Sequence, residues 1–327
     1  MPINETLSRF SDWSYTTTVA IYVLALLFFL IEQSFGVKGR NAAQRTRERA
    51  KELVGAGAPV VTESTVPPTA VTPDRVGRAE RIGRMGMALT VLGVLLHLSA
   101  LVLRGLATSR VPWGNMYEYV MAVTFIGVVT WLVMARRFPV RHLSGFVLLP
   151  IVILMFIGGT MLYAVAAPVQ PALQSYWMVI HVSAAIIGSG VFLVPGVASV
   201  LYLMRSAHEK NPKKFARFAD RIPAADILDR ITYRTTVFAF PVFTFGVLCG
   251  AIWAESAWGR FWGWDPKETV AFVAWVVYAA YLHSRATAGW RGQRAAIINV
   301  IGFALTVFNL FFVNLVSVGL HSYAGVG

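Results

Sequence analysis

The chain has 327 residues, of which 56% are apolar and only 14% charged. With a mean hydropathy of +0.60, that composition excludes a water-soluble globule. A net charge of +13 does not mark a nucleic-acid binder here, because the basic residues are parcelled into alternate loops rather than gathered in one patch. The single cysteine, Cys249, excludes an intramolecular disulfide, and with no C-x-x-C-H the chain is not itself a c-type cytochrome.

A membrane-spanning helix needs about 20 mostly apolar residues. Eight runs qualify: 17–35, 84–103, 119–135, 143–163, 176–204, 235–253, 268–284 and 295–317. The expected fold is all-α, a polytopic membrane protein with about eight transmembrane helices. The first run lacks a basic leader and a small-residue cleavage site, so residues 1–35 read as a retained N-terminal helix. Residues 36–83 read as a basic cytoplasmic loop, mobile over 39–80, where Ala, Pro, Thr, Arg and Glu show no apolar period. Residues 84–327 form the main transmembrane domain. Before its second helix, the third run overall, Asn115 and Glu118 carry the spacing of a capping box, just after Pro112-Trp113-Gly114. Pro195-Gly196 should kink the fifth run. Residues 208–231 look like one or two short amphipathic surface helices.

The basic residues fix an orientation. Lys38 to Arg84, Arg136 to Arg141, Arg205 to Arg234 and Arg285 to Arg294 place 24 of the 29 Lys and Arg in alternate loops. Only Arg9, Arg104, Arg110, Arg260 and Lys267 remain for the other side. Positive loops stay in the cytoplasm, so both termini and the loop 254–268 are expected on the external face of the cell (cytoplasmic) membrane.

That loop holds Trp258-Gly-Arg-Phe-Trp-Gly-Trp-Asp-Pro-Lys-Glu268. Trp258, Phe261, Trp262 and Trp264 crowd seven residues, and the glycines between them let neighbouring rings approach a large planar partner. The plainer reading is an interfacial aromatic belt, although belts scatter their rings over several helix ends. Asp265, Pro266 and Glu268 form a capping box that starts the seventh helix. Arg260 and Lys267 beside the rings suit carboxylate partners, or merely snorkel to the interface.

Topology sorts the six histidines. His142 and His208 fall in basic loops. His97, within the second run, reads as structural. His181, four residues after Trp177 and on its face of the helix, and His321, just past the last helix, are the histidines on the side of the Trp-rich loop. Either alone reads as a hydrogen-bonded structural residue. As a pair around this loop they suit the two axial positions of a haem iron. His283 lies near the cytoplasmic end of the seventh helix, too far away to reach them, and would serve a second, inner site.

The Trp258–Glu268 segment resembles the tryptophan-rich "WWD" signature of haem-handling membrane proteins. Within that superfamily the chain is similar to the CcsA/ResC-type subunits of System II cytochrome c synthases, also through Pro112–Glu118, Trp177–His181, Tyr281–Arg285 and Gly319–Ala324. The resemblance covers most of 84–323. It implies that His181 and His321 are external axial ligands of haem b, and that His283 is a membrane-embedded ligand for haem arriving from the cytoplasm. It implies a separate CcsB/ResB-type subunit supplying the other inner ligand. The activity implied is that of a holocytochrome c synthase (haem lyase) subunit, which exports haem and supports its thioether attachment to C-x-x-C-H in apocytochrome c. Thiol-reducing proteins of the same pathway are expected partners, membrane lipid surrounds the chain, and nucleic acid is not a partner. No residue reads as an acid–base or nucleophilic catalyst. The alternative is a b-type haem electron-transfer subunit, which would place paired histidines inside a four-helix bundle.

The topology predicts that a Ser256→Cys chain is labelled by a membrane-impermeant thiol reagent from the external side. Labelling from the cytoplasmic side alone would invert it.

Overall fold

The computed structural model describes residues 3–55, 73–169, 171–219, 221–287, 289–317 and 319–321. Among them the regular structure is entirely helical: α1 (Glu5–Gly55), α2 (Pro73–Thr108), α3 (Met116–Arg137), α4 (Ser144–Thr160), α5 (Tyr176–Lys210), α6 (Ala216–Ala219), α7 (Ala225–Trp258), α8 (Pro266–Ala286) and α9 (Gln293–Leu315), with two 3-10 turns. The protein is an all-α polytopic membrane protein.

Seven segments, rather than the eight expected, are long and apolar enough to cross a membrane: Glu5–Ser34, Gly77–Thr108, Met116–Arg137, Arg141–Thr160, Tyr176–Lys210, Ala225–Trp258 and Gln293–Val313. The exception is α8, whose 21 residues reach about 31 Å. Trp275, Tyr278, Tyr281, His283 and Arg285 dilute its apolar character. It nevertheless packs against both α7 and α9. Tyr278 and Tyr281 are fully buried, and Tyr278 stacks on Phe192 of α5 with ring centroids 3.7 Å apart. Tertiary packing recruits this helix where apolarity alone does not.

Other expectations change at helix ends. The stretch 39–80 is helical at both margins, since α1 continues to Gly55 and α2 begins at Pro73; residues 56–72 lie outside the described residues. The segment 208–231 yields only the four-residue α6, and α7 already begins at Ala225. Asn115 caps α3 by accepting the Glu118 N–H at 2.9 Å. The Glu118 carboxylate, however, turns to the Gly114 N–H and two arginines instead of closing the box. The box at α8 is complete, with Asp265 and Glu268 each accepting from the other's end of the turn and Pro266 in the first turn. Gly259 ends α7 at φ 69°, in the left-handed region that favours glycine.

The helices bring two ends together. At one end lie Asp12, Arg104, Glu118, His181, the Trp-rich loop and His321; at the other, Arg141 pairs with Glu32 at 3.0 Å and Arg285 with Asp229 at 2.7 Å. Within the bundle Asn299 of α9 donates to Thr236 of α7 at 3.0 Å and accepts from Ser199 of α5 at 3.1 Å, with all three side chains buried. Such interhelical hydrogen bonds contribute about 1 kcal/mol in a membrane. An Asn299→Leu change should therefore lower unfolding stability by about that amount, and a cycle with Thr236→Val should show coupling between the sites. Additive losses would mean that α7 and α9 are held by packing alone.

Candidate functional site

A cleft of about 1600 Å³, counting the solvent at its mouth, opens among α3, α5, α7, α8 and α9. His181 and His321 both line it, with Trp258, Phe261 and Trp262 of the Trp-rich loop and with Trp113 to Met116 on the opposite side.

His181 sits in the second turn of α5, whose start is capped by Ser175. Its Nδ1 lies 2.7 Å from the Gly246 carbonyl of α7. A carbonyl oxygen only accepts, so Nδ1 carries the proton and Nε2 keeps its lone pair. One turn along α7, Gly250 leaves room for the ring: a Cβ there would stand 2.6 Å from His181 Cε1. The imidazole also lies parallel to the indole of Trp253, at 5.9 Å between centroids and 11° between planes.

His321 is held by the loop itself. Its Nδ1 is 2.7 Å from Asp265 Oδ2, and the neighbouring Leu320 N–H donates to Asp265 Oδ1 at 2.7 Å. The carboxylate that caps α8 thus also orients His321, and with the proton on Nδ1 the lone pair of the ring is on Nε2. Burial lowers the pKa of His321 below the usual histidine value, opposed by its hydrogen bond to Asp265. Burial would raise the pKa of Asp265, but the hydrogen bonds from His321 and Leu320 outweigh it and hold the carboxyl below its ordinary range. The pair at neutral pH is a neutral imidazole against a carboxylate. Trp258 meets the His321 ring at 5.0 Å and Trp253 at 6.1 Å.

The remaining candidates are dispersed. Trp264 does not line the cleft; at φ 59° it turns outward, 65% exposed, against Trp262 and Phe272. Arg260 folds over Gly263, 3.8 Å from Glu268, and it too lies off the cleft wall, on which Lys267 is the cation. Trp177 packs behind the site, in the cluster around Trp253. His283 is exposed at the far end of α8, 18 residues or about 27 Å from Asp265. His97 is buried beside Tyr22 and Phe125, as a structural residue would be. Among the described residues no cluster of three or more His, Cys, Asp or Glu is placed to hold a bare metal ion.

Trp253, Gly246 and Gly250 are site residues that the sequence reading missed. The spacing Gly246-x-x-x-Gly250 was the available signal, because small residues four apart mark a close helix contact.

A histidine-flanked, tryptophan-lined cleft at one end of a polytopic helical bundle defines the class of protein. The family of cytochrome C assembly proteins matches residues 113–321, and Trp113 and His321 both line the cleft. The cytochrome c biogenesis protein CcsA of Chlamydomonas reinhardtii is 37% identical over 236 residues, 70% of this chain and 65% of that one, so the chain spans just under two thirds of that relative's length. The CcsA protein of Prochlorococcus marinus is 35% identical over 249 residues, 68% of this chain and 78% of its own. That of Guillardia theta is 32% identical over 257 residues, covering 73% and 85%. A solved structure of the cytochrome c heme lyase CcmF shares the fold, with TM-score 0.61 and 17% identity over 95% of this chain and 47% of that one. The chain belongs to the cytochrome C assembly protein family, among the CcsA-type proteins of cytochrome c biogenesis.

The close approach at Gly250 gives a stability prediction. Gly250→Val should cost about 1–3 kcal/mol by driving into the His181 ring, and most of that cost should vanish in a His181→Ala background. Thermal unfolding in detergent measures both; an equal cost in the two backgrounds would place the clash elsewhere.

Proposed function

We propose that the cleft receives haem b as substrate and presents it at the external membrane face for attachment to apocytochrome c. The observation that carries this reading is the pair His181 and His321. Each has Nδ1 committed to an oxygen acceptor, which puts the lone pair on Nε2, the atom that would donate to iron. Trp258, Trp262 and Phe261 supply an apolar aromatic wall for the macrocycle. Lys267, the cation on that wall, suits the propionates better than Arg260, which folds toward Glu268.

The chemistry asked of the protein is positioning. Each substrate thiol adds its S–H across one vinyl C=C, forming a carbon–sulfur bond with no net oxidation, and the substrate histidine replaces one protein ligand on iron. None of the cleft's side chains needs to act as nucleophile. The cleft has its mouth beside the exposed Phe261, which favours presentation to a second protein over the enclosed pocket of a permanent electron-transfer haem.

His283 stands on an outward face of α8 with Phe272, Val273 and Val276 also exposed. In this reading it receives haem on the cytoplasmic side together with a ligand from a CcsB/ResB-type subunit packed on that face, and thiol-reducing proteins keep the substrate cysteines reduced.

Three variants test the ligand pair. His181→Ala and His321→Ala should each lose the two-histidine haem spectrum and cytochrome c maturation while the protein still inserts. Asp265→Asn separates two roles, because asparagine caps a helix well but does not hold the Nδ1 proton as a carboxylate does. It should leave α8 intact and weaken haem binding about 10- to 100-fold. An unchanged spectrum in all three would sink bis-histidine ligation in this cleft.

A further inference from the structure

Glu118 is a carboxylate with no exposed surface. It accepts from the Gly114 N–H at 2.8 Å, from Arg110 Nη1 at 2.8 Å and Nη2 at 3.1 Å, and from Arg104 Nε at 3.0 Å. Arg104, also fully buried, donates to the Ala164 carbonyl and lies 3.5 Å from Asp12. Arg110 donates to the Ala167 carbonyl through Nη2 at 3.0 Å. A single acid therefore ties together the N-terminal part of α1, the end of α2, the turn before α3 and the segment after α4. Two arginines balance Glu118 and Asp12, which is the condition for burying charge without a large desolvation cost.

The turn pinned in this way is a wall of the cleft, lined by Trp113, Gly114, Asn115 and Met116. Trp113 also lines a second cavity of about 1330 Å³ between α2, α3 and α5. That cavity includes Leu98, Val102, Leu106 and Ile187, all exposed on the apolar outer surface of the bundle, so it faces lipid. Trp113 is the residue that the two linings share. Were it displaced, a planar apolar substrate in the cleft would have a sideways path into the bilayer.

We infer that Glu118 and Arg110 are positioning residues that hold Trp113 as the partition between the substrate cleft and a lipid-facing groove, keeping haem from escaping laterally into the membrane. This rests on the reading of the cleft as a haem site. Neither residue lines the cleft, and only Arg110 also lines the groove, so each acts on substrate in the cleft through the turn.

The test uses the full chain loaded with haem in phosphatidylcholine vesicles, and follows transfer of that haem to empty acceptor vesicles. The absorption spectrum and melting temperature are read alongside. Glu118→Gln, Arg110→Lys and Trp113→Ala should each speed transfer measurably above the wild-type rate, with the spectrum of the remaining bound haem unchanged. Trp113→Phe should restore slow transfer. Glu32→Gln, which breaks the ion pair at the opposite end, should lower the melting temperature without speeding transfer. Wild-type transfer rates in Arg110→Lys and Trp113→Ala overturn the partition, whether or not Glu118→Gln folds. A wild type that takes up no haem overturns the reading of the cleft and this inference with it; a wild type that holds haem but releases it at the same rate in every variant overturns only the partition.

Discussion

Asp265 is a single carboxylate with three obligations. It caps α8 through the Lys267 N–H, takes the Leu320 N–H, and takes Nδ1 of His321. The first starts α8, the long helix that is not by itself apolar enough to count as a membrane span. The second and third close the chain's last described turn back onto the Trp-rich loop, across 55 and 56 residues of sequence. Hydrogen bonds to an ionised acceptor contribute about 1.5–3 kcal/mol each, roughly twice a neutral one. Without the aspartate, α8 would lose its cap and His321 its fixed tautomer together. Helix packing and the reactive geometry are joined at one atom group, and their effects are inseparable by truncation to alanine.

The fold around this point divides its labour by depth. In hydrocarbon every backbone group is satisfied within its helix, so the interior contributes packing and a few side-chain bridges such as Ser199–Asn299–Thr236. Irregular backbone is confined to the ends, where fixed charges organise it: the Glu118 knot and Asp265 at one end, Glu32–Arg141 and Asp229–Arg285 at the other. The cations left on the Trp-rich side of the chain are thus largely used. Arg104 and Arg110 are structural, and Lys267 alone among them lines the cleft.

The helices were legible because apolar runs of spanning length are an unambiguous signal. The extensions of α1 and α2 past the apolar runs were not, since polar helix and polar loop share a composition. The histidine pair was legible from topology: His181 and His321 fall at one end of the bundle and line one cleft. What linear spacing did not reveal is which rings of the Trp-rich loop face the cleft. Trp262 and Trp264 are two residues apart, and a left-handed backbone at Trp264 sends the second one out. Nor did it show that Trp253, inside an apolar helix, would lie against His181; a buried tryptophan there reads as ordinary core. Asp265 was read as a cap, which it is, and its second role needed the return of the chain at Leu320 to become visible.

The parallel stack of Phe192 and Tyr278 has a consequence for the membrane itself. The cleft's lining runs along α5 from Met178 to Leu193, about 22 Å along the helix axis, so its wall reaches well into the bundle. Beside its inner end, Phe192, Phe243, Tyr278, Val191 and Ala239 form an apolar cluster, of which Phe243 also lines the cleft. Such a cluster offers water no hydrogen-bond partner, and an ion entering it would lose its hydration without compensation. A protein that opens a deep cavity in an energised membrane must still insulate it. Here the Phe192–Tyr278 stack, with ring centroids 3.7 Å apart, brings two aromatic faces without polar atoms into that apolar layer.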